Sequence, residues 1–318
     1  MERKINILLF YKFKQIENPK KFAREQLKLC KELEVFGKIF VAKEGINGSI
    51  SGTIEQTEKY KKFLLSKKGF RDVIFKEEFS NEHPFKKMFV RIKDEIIRID
   101  KKIDMKKTGK YIDPKDLLEL YESGENFVIL DTRNDYEWKV GKFKNAITPD
   151  IETFREFPKF VDKIKNLKDK KIVMYCTGGI RCEKASSYMI QQGFKDVHQL
   201  HGGIITFCQQ FPDTIWEGRC FVFDKRLMTN INQKNLPISK CIVCEKSCDL
   251  YRNCKNPSCD KLIVMCLDCE KKMNACCSEI CLDEFKEHCL EKSLRKQGRM
   301  VANIKLFKAK ISIKEFSD

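Results

Sequence analysis

The segment Cys176-Thr177-Gly178-Gly179-Ile180-Arg181 constrains the fold more than any other part of the chain, because it lies between two runs of opposite pattern. The apolar run Ile172–Tyr175 before it predicts a buried strand, and Glu183–Gln192 after it predicts a helix. Strand-like and helix-like runs alternate on both sides as well, at Leu117–Tyr121, Phe127–Leu130, Phe157–Ile164 and Val197–Leu200. This alternation predicts an α/β domain with a parallel sheet, helices on both faces, and functional residues beyond the carboxyl ends of the strands.

The same segment predicts a reactive thiol. Its two glycines let successive N–H groups point inward, and the following helix N-terminus adds partial positive charge, so a low pKa is expected for the Cys176 thiol. Arg181 adds a fixed cation and a two-point donor for an anionic substrate group. Four residues separate Cys176 from Arg181. Cysteine phosphatases have one more, and the tighter loop suits a persulfide or a small adduct better than a phosphate. We therefore predict a thiolate nucleophile; the competing interpretation is a buried cysteine in a glycine-containing turn.

Residues on both sides of this loop extend the pattern. Asp131-Thr132-Arg133-Asn134 and Glu137 precede it, and His201-Gly202-Gly203-Ile204 follow it. Together with the loop they resemble a rhodanese domain over residues 113–218. The resemblance implies that Cys176 is the catalytic cysteine.

The resemblance also gives the neighbours of Cys176 supporting roles. Asp131 and Arg133 are expected to support the loop or to face the substrate, although a salt-bridged strand end explains this pair equally well. Cys182 lies at the first turn of the following helix, where it is either a resolving thiol or a core residue. The loop residues expected to support the thiolate are Thr177, Gly178 and Gly179.

Residues 1–100 predict a separate α+β domain. The pattern indicates a strand at Ile5–Phe13, a helix at 19–35, a strand at Gly37–Val41, a glycine-rich bend at Glu44–Gly48, a strand near Ser49–Ser51, a helix near Ile54–Leu65 and a strand at Phe89–Ile99. This β-α-β-β-α-β order is that of a ferredoxin-like domain. The lysine-rich residues 101–112 predict a solvated linker, and residues 113–225 the rhodanese domain.

Three separated motifs point to a narrower family. They are Ala42-Lys43-Glu44-Gly45-Ile46-Asn47-Gly48, the cysteine loop followed by Cys182-Glu183-Lys184-Ala185, and Gly218-Arg219-Cys220-Phe221-Val222-Phe223-Asp224. Together they resemble the tRNA uridine hydroxylase family over residues 1–230. The resemblance implies oxygen-dependent hydroxylation of the wobble uridine at C5, with O₂ as co-substrate, tRNA as the partner and Cys176 as the catalytic cysteine. The residues by themselves support only a nucleophilic thiolate beside a basic surface, and a sulfurtransferase that carries a Cys176 persulfide is the alternative.

The charge of the chain is compatible with an RNA partner. The formal net charge is +17, from 63 Lys and Arg against 46 Asp and Glu. Such a charge favours polyanions such as RNA, DNA or anionic membrane surfaces, although a lysine-rich proteome gives the same balance without any nucleic-acid role. Lys43 and Asn47 are candidate RNA contacts, and a tight structural turn explains the neighbouring glycines equally well.

The cysteines concentrate near the end of the chain. Eleven of the 16 lie between Cys241 and Cys289, where two C-x₂-C knuckles favour metal over disulfides. We predict a zinc-binding module at residues 240–290, followed by a basic tail at 291–318. Eight thiolates would fill two tetrahedral sites, paired sequentially or in alternation, and zinc is favoured over an iron–sulfur cluster. The candidate ligands are Cys241, Cys244, Cys254, Cys259, Cys266, Cys269, Cys276, Cys277 and Cys281.

The remaining signals concern the compartment and the alternatives to an enzyme. No stretch approaches the roughly 20 apolar residues of a membrane span, and the charged start of the chain resembles no signal peptide. With so many free thiols available, a reducing, cytoplasmic location is expected and no membrane partner. A zinc-bearing tRNA-binding or scaffold protein is the non-enzymatic interpretation. The sequence gives no indication of the oligomeric state.

Overall fold

The computed structural model describes residues 4–232 and 236–295, and the chain divides into two compact units between Leu236 and Pro237. The first unit contains both α/β domains, and the second contains the cysteine-rich segment. Of the predicted basic tail at 291–318, only residues 291–295 lie within the described part of the chain.

The first domain is built on a five-stranded sheet. Its elements are β1 (Ile5–Phe13), α1 (Pro19–Glu32), β2 (Phe36–Ala42), β3 (Gly45–Gly52), α2 (Ile54–Ser66), β4 (Phe75–Ser80) and β5 (Met88–Ile92). The strand order is β4-β1-β3-β2-β5. The predicted β-α-β-β-α-β order is therefore confirmed, and β5 is added at the edge, parallel to β2.

Two details of this domain differ from the prediction. The last strand of the β-α-β-β-α-β order is β4, which was not predicted and which pairs antiparallel with β1. The strand predicted at Phe89–Ile99 corresponds to β5, which ends at Ile92. The predicted bend at Glu44–Gly48 is mostly strand, because β3 begins at Gly45. Its glycines serve close packing: a Cβ on Gly45 would lie 2.0 Å from the Lys12 carbonyl oxygen, and one on Gly48 would lie 2.5 Å from the Phe10 ring.

The two faces of this sheet have different surroundings. Side chains alternate along a strand, so Leu8 and Phe10 of β1 enter the core on one face, together with buried residues of α1 and α2. Leu9 and Tyr11 point to the opposite face. That second face is turned toward the cysteine loop of the next domain, where Leu9 lies against Gly178.

The second domain contains the predicted parallel sheet. Its elements are β6 (Lys110–Ile112), α3 (Pro114–Ser123), β7 (Val128–Asp131), α4 (Asp135–Trp138), β8 (Gly141–Phe143), α5 (Phe157–Lys163), β9 (Lys171–Tyr175), α6 (Ile180–Gln191), β10 (Asp196–Leu200) and α7 (Gly203–Gln210). The order in the sheet is β6-β10-β9-β7, all parallel. The helices expected at Phe157–Ile164 and Glu183–Gln192 are confirmed, and Leu117–Tyr121 lies within α3. Three residues of the expected linker form β6, paired with β10.

Core clusters cover both faces of this sheet, one built around α5 and α6 and the other around α3 and α7. The strands alternate their buried side chains between the two clusters: Ile172 and Met174 of β9 enter the first, while Val173 and Tyr175 enter the second. The carboxyl ends of β7 and β9 therefore meet at one edge. The segments Asp131–Arg133 and Cys176–Arg181 lie at these ends, as predicted.

Short strands complete the described chain. In the first unit β11 (Trp216–Gly218) pairs with β8, and β12 (Cys220–Phe221) pairs with β13 (Met228–Thr229). In the second unit β14 (Tyr251–Asn253) and β15 (Leu262–Val264) form a hairpin, followed by α8 (Leu267–Lys272) and a helical segment at 279–295. None of the helices in the described ranges is long and apolar enough to cross a membrane.

Candidate functional site: a thiolate loop facing a two-domain cavity

The Cys176 thiol lies fully buried at the end of β9. The Gly179 N–H donates a hydrogen bond to its sulfur at 3.0 Å, and Gly179 has a φ of +98°, which glycine adopts at little cost. Burial opposes ionisation, but hydrogen bonding from Cys182, the charge of Arg181 and the loop N–H groups outweigh it, so the pKa of Cys176 is lowered from its ordinary value of 9.0. The loop therefore holds a thiolate.

The segment at 203–205 packs behind the loop and donates hydrogen bonds to its carbonyls. The Ile204 N–H donates to the Cys176 carbonyl at 3.0 Å, and the Ile205 N–H donates to the Thr177 carbonyl at 3.2 Å. Gly203 has a φ of +69°, and a Cβ there would lie 2.5 Å from the Cys176 carbonyl oxygen. Only glycine fits at this position without displacing the loop.

The guanidinium group of Arg181 is paired with a carboxylate of the protein. Its two terminal nitrogens donate to the two carboxylate oxygens of Glu137, with Nη2 to Oε1 at 2.7 Å, and both side chains are buried. The sequence predicted a donor fork directed at an anionic substrate group; here that fork is filled by Glu137. Thr177 also reaches Glu137, with 3.5 Å between Oγ1 and Oε1. The cation of Arg181 nevertheless stays beside Cys176, where it favours the thiolate.

Asp131 and Arg133 form a second buried ion pair beneath the loop. Nη2 of Arg133 donates to Asp131 Oδ2 at 2.6 Å and to the Gly141 carbonyl at 2.6 Å. The guanidinium also lies over the rings of Tyr175 and Trp216, at 5.6 Å and 5.2 Å from their centroids. Both side chains are fully buried. These contacts are those of a salt-bridged strand end, and neither residue lines the cavity described below. Support of the loop stays a prediction.

Cys182 is the immediate thiol neighbour of Cys176. It is fully buried, and burial together with the neighbouring thiolate raises the pKa of Cys182. Its sulfur also lies 3.7 Å from Thr132 Oγ1. Because Cys182 stays protonated, its S–H is available as a donor to the Cys176 thiolate.

A cavity of about 710 Å³ extends from Cys176 between the two α/β domains of the first unit, a size typical of small-molecule sites. The free face of the N-terminal sheet forms one wall, and the cysteine loop forms the opposite wall. Further sides come from residues 92–98, 152–155 and 222–226. Aromatic side chains in the lining are Tyr11, Phe40, Phe85, Tyr136, Phe154 and Phe223, and exposed cations are Lys93, Arg98 and Arg155.

The N-terminal domain contributes two cavity residues that sequence patterns did not indicate. The Tyr11 hydroxyl donates to Glu183 Oε1 at 3.0 Å, and Lys76 Nζ lies 5.4 Å from the centre of the Tyr11 ring. Lys76 is only 8% exposed. Burial lowers its pKa, and the negative charges of Cys176 and Glu183 partly offset this effect. The segment Phe-Lys-Glu-Glu-Phe-Ser of β4 has the composition of a solvated surface, so only the strand alternation could have shown that Lys76 and Glu78 share the inner face.

The predicted RNA contacts in the first domain have separate positions. Lys43 is exposed at the turn between β2 and β3, outside the cavity lining, whereas Asn47 lines the cavity. Asn47 Nδ2 donates to the Ile96 carbonyl at 3.1 Å, and the Ile96 N–H donates to Glu44 at 2.7 Å. The hairpin formed by β2 and β3 thus holds residues 92–98, which form one side of the cavity.

Lys184 of α6 forms ion pairs that connect this helix to the β2–β3 hairpin. Its Nζ lies 2.8 Å from Glu44 Oε1 and 2.6 Å from Glu95 Oε2, and its side chain is 3% exposed. Because Lys184 follows Cys182 by two residues, the N-terminal domain is attached directly to the helix that follows the cysteine loop.

Two cysteine groups in the second unit could hold metal ions. The first consists of Cys241, Cys244, Cys266 and Cys269, and the second of Cys254, Cys259, Cys277 and Cys281; within each group all sulfurs lie within 4.8 Å of one another. The groups alternate along the chain, which decides between the two pairings left open by the sequence. Cys276, the ninth candidate, belongs to neither group: it is buried, and its sulfur lies 3.7 Å from the Asn274 carbonyl oxygen.

Three family models match successive parts of the chain. They are the UPF0176 acylphosphatase like domain at residues 5–96, the Rhodanese-like domain at 113–210 and the Rhodanase C-terminal model at 217–282. The fold and the site thus define a rhodanese-domain protein whose cysteine loop is covered by an acylphosphatase-like domain and which ends in a cysteine-rich module.

Curated relatives define the family more closely. A protein of Bacillus mycoides named tRNA uridine(34) hydroxylase is 45% identical over 282 residues, which cover 86% of this chain and 88% of the relative. A protein of Bacillus licheniformis with the same name is 43% identical over 288 residues, covering 88% and 89%. The chain belongs to the tRNA uridine(34) hydroxylase family, as its three motifs indicated.

Two solved structures are similar to about a third of the chain. The rhodanese-like domain of an Anabaena protein is 24% identical and covers 35% of this chain and 80% of that domain, with a TM-score of 0.30. A Bacillus halodurans protein is 28% identical and covers 32% of this chain and 73% of its own, with a TM-score of 0.28.

Proposed function

We propose that this chain hydroxylates the wobble uridine of tRNA at C5, with O₂ as co-substrate and Cys176 as the catalytic cysteine. The observation that supports this most directly is the buried Cys176 thiolate facing a cavity of about 710 Å³ that two domains enclose. Relatives that cover most of the chain are named for the same reaction. The chain is thus an oxidoreductase, and a tRNA substrate supports a cytoplasmic location.

The thiolate activates the uracil ring by covalent addition. Cys176 Sγ bonds to C6, and the electron pair of the C5–C6 double bond moves onto the C4 carbonyl oxygen as an enolate. The nucleophile is suited to this step because Gly179 and Arg181 stabilise the thiolate and the Cys176 side chain is buried.

Oxygen enters at the neighbouring carbon. The enolate bonds through C5 to O₂, and one proton completes a hydroperoxide. A thiol-type reductant supplies two electrons, and with two protons the hydroperoxide becomes the C5 hydroxyl and water. Loss of the C5 proton then expels the Cys176 thiolate and restores the C5–C6 double bond, which gives 5-hydroxyuridine.

The cavity requires that the base leave the anticodon stack. Enzymes that modify bases commonly extrude the target base into a pocket and stack it on aromatic side chains. Phe223 is 52% exposed and lines the cavity beside Tyr136, at 6.4 Å between ring centres, so it offers such a platform. The exposed cations Lys93, Arg98 and Arg155 lie in the lining where tRNA phosphates would approach. Lys43 and Asn47 remain candidates for further RNA contacts.

A sulfurtransferase is the second candidate function. It is favoured by the short loop itself, because N–H groups around Cys176 would also stabilise the terminal sulfur of a persulfide. Persulfide labelling of Cys176 in the isolated protein, together with thiosulfate:cyanide sulfurtransferase activity, would support this candidate.

Zinc is the metal that the two cysteine groups fit best. Zn–S bonds of about 2.3 Å in a tetrahedral site separate the sulfurs by about 3.8 Å. The distances between Cys244 and Cys266 and between Cys259 and Cys277 are both 3.7 Å. The eight residues would hold two structural ions, which would stabilise the fold of the second unit.

Nucleoside mass spectrometry tests the function. Cells that lack the chain are complemented with the wild type, with Cys176→Ser or with Cys289→Ser, an exposed cysteine outside both metal groups. We expect 5-hydroxyuridine and its derivatives in tRNA with the wild type and Cys289→Ser but not with Cys176→Ser. Equal amounts in all strains, including the deletion, would contradict the proposal.

A further inference from the structure

Lys76 is a buried cation without a direct partner among the residues that the structure describes. Its side chain extends from β4 into the cavity that also contains Cys176, and the residue is 8% exposed. Within residues 4–232 and 236–295, its ammonium group forms no ion pair or hydrogen bond; its nearest described contact is the face of Tyr11, at 5.4 Å from the ring centre. The group therefore has three N–H donors in the cavity lining and no acceptor for them among the described residues.

Two anionic groups lie near this cation without binding it directly. Cys176 and Glu183 both favour the charged form of Lys76, while burial disfavours it and lowers its pKa. Glu183 is occupied by the hydroxyls of Tyr11 and Tyr111, at 3.0 Å and 2.5 Å. The sulfur of Cys176 receives hydrogen bonds from the Gly179 N–H and from Cys182. Neither anion accounts for the position of the ammonium group.

A buried lysine in this state reduces the stability of the fold. Desolvation of an ammonium group is compensated only by well-placed partners, and an apolar residue of similar volume is often neutral or stabilising at such a position. A side chain that costs stability and points into an active-site cavity is explained when a ligand supplies the missing partner.

We propose that the Lys76 ammonium binds the C4 oxygen of the uracil ring as it becomes an enolate during addition of Cys176 to C6. This inference rests on the proposed function and names the side chain that stabilises the negative charge on the C4 oxygen. The C–S bond forms, the π pair of C5–C6 moves to the C4 oxygen, and Lys76 donates a hydrogen bond to that oxygen without losing its proton. Preorganised donors directed at developing charge are a major source of enzymatic rate enhancement.

Burial distinguishes this role from binding of a tRNA phosphate. Phosphates stay in solvent at the mouth of such a cavity, where the exposed side chains Lys93, Arg98 and Arg155 can meet them. Lys76 lies deeper, on the same wall as Leu9, whose side chain lies against Gly178 of the cysteine loop. Only the base that enters the cavity reaches it.

The test isolates the addition step from the oxygen chemistry. An anticodon stem-loop RNA with 5-fluorouridine at the wobble position is incubated with the full chain under anaerobic conditions. Fluorine at C5 withdraws electron density from C6 and favours the addition of Cys176, and with O₂ excluded the reaction stops at the adduct, which is measured as the mass of the protein–RNA species. The variants are Lys76→Met, Lys76→Arg and, as a matched control, Lys12→Met, which removes one charge from β1 on the other sheet face, where Lys12 pairs with Asp72.

For Lys76→Met we expect adduct formation to slow by about 10²–10³-fold, the loss typical of removing one such donor. Lys76→Arg is expected to restore part of the rate, and Lys12→Met to keep it within about twofold. The melting temperature of Lys76→Met is expected to equal or exceed that of the wild type, which excludes misfolding as the cause. Alkylation of Cys176 by iodoacetamide is expected to stay near the wild-type rate, because Gly179 and Arg181 hold the thiolate.

Two results would overturn the assignment of Lys76. One is adduct formation by Lys76→Met at the wild-type rate, and the other is an equal loss of adduct formation and alkylation, which would mean that Lys76 acts on the thiolate alone. A wild-type chain that forms no adduct would instead contradict the proposed addition of Cys176 to uridine. The two failures are therefore distinguishable.

Discussion

Arg181 and Glu137 form a two-point ion pair that is buried beside the thiolate, with Nη2 of Arg181 and Oε1 of Glu137 2.7 Å apart. The pair fixes the cysteine loop to the residues that follow β7. Arg181 lies at the start of α6 and Glu137 in α4, so the contact joins two segments that are distant in sequence. The charge near Cys176 is thus held in place by the protein before any substrate binds.

Removing the charge of Glu137 is expected to destabilise the first unit strongly. Glu137→Gln leaves the buried Arg181 cation uncompensated, and breaking such a pair typically costs about 3–5 kcal/mol. Urea unfolding measures this loss. Lys139→Ala is the control, because it removes an exposed pair with Asp135 in the same turn, worth about 1 kcal/mol or less. A Glu137→Gln loss no larger than that of Lys139→Ala would contradict this role.

The pH dependence of Cys176 alkylation tests the origin of the thiolate. The lowered pKa of Cys176 means that its alkylation rate stays nearly constant from neutral pH up to pH 9, whereas an ordinary thiol with a pKa of 9.0 becomes steadily more reactive. Cys182→Ala removes a hydrogen bond to the thiolate, so the pKa of Cys176 is expected to rise and its reactivity at neutral pH to fall. Cys182→Ser keeps a donor and is expected to behave more like the wild type. An unchanged profile in Cys182→Ala would show that Cys182 has no part in thiolate stabilisation.

Gly203 tests the support behind the loop. A Cβ at this position would lie 2.5 Å from the Cys176 carbonyl oxygen, at a φ of +69°. Gly124 has the same φ of +69° with no atom within 4 Å of its would-be Cβ. Gly124→Ala is therefore expected to cost only the backbone strain, about 1–2 kcal/mol, whereas Gly203→Ala adds displacement of the loop. We expect Gly203→Ala to lose more stability than Gly124→Ala, and only Gly203→Ala to slow the alkylation of Cys176. Equal effects of the two substitutions would contradict the close packing.

Metal analysis tests the two cysteine groups. The full chain is expected to contain two zinc ions, measured by atomic emission on the purified protein. Cys244→Ser and Cys277→Ser each remove one ligand and are expected to lower the zinc content toward one. Cys276→Ser is the matched control, since Cys276 lies beside Cys277 but outside both groups, and it is expected to retain both ions. A zinc content that falls equally in Cys276→Ser would contradict the ligand sets.

The sequence predicted features that depend on local pattern. The apolar strand before Cys176, the glycines of its loop and the helix that follows all derive from short segments, and the structure has them where expected. The two cysteine groups were predicted as a set of ligands, but their alternating pairing depends on how β14, β15 and α8 fold together.

Features that depend on contacts between segments distant in sequence were not predicted. Lys76 lies in a strand with the composition of a surface segment, and its burial results from the cysteine loop that covers that sheet face. The donor groups of Arg181 were expected to face the substrate, because Glu137 lies 44 residues away in the sequence and its contact with Arg181 depends on the tertiary fold. The glycines of β3 indicated a bend, although they are needed for close packing against β1.

The most direct test of Cys176-dependent hydroxylation labels the oxygen itself. Cells that lack the chain are complemented with wild type or Cys176→Ser and grown under ¹⁸O₂, and the nucleoside at the wobble position is examined by mass spectrometry. We expect one ¹⁸O atom in 5-hydroxyuridine or its derivatives with the wild type and no hydroxylated nucleoside with Cys176→Ser. Labelled product with Cys176→Ser, or wild-type product that carries no ¹⁸O, would contradict it.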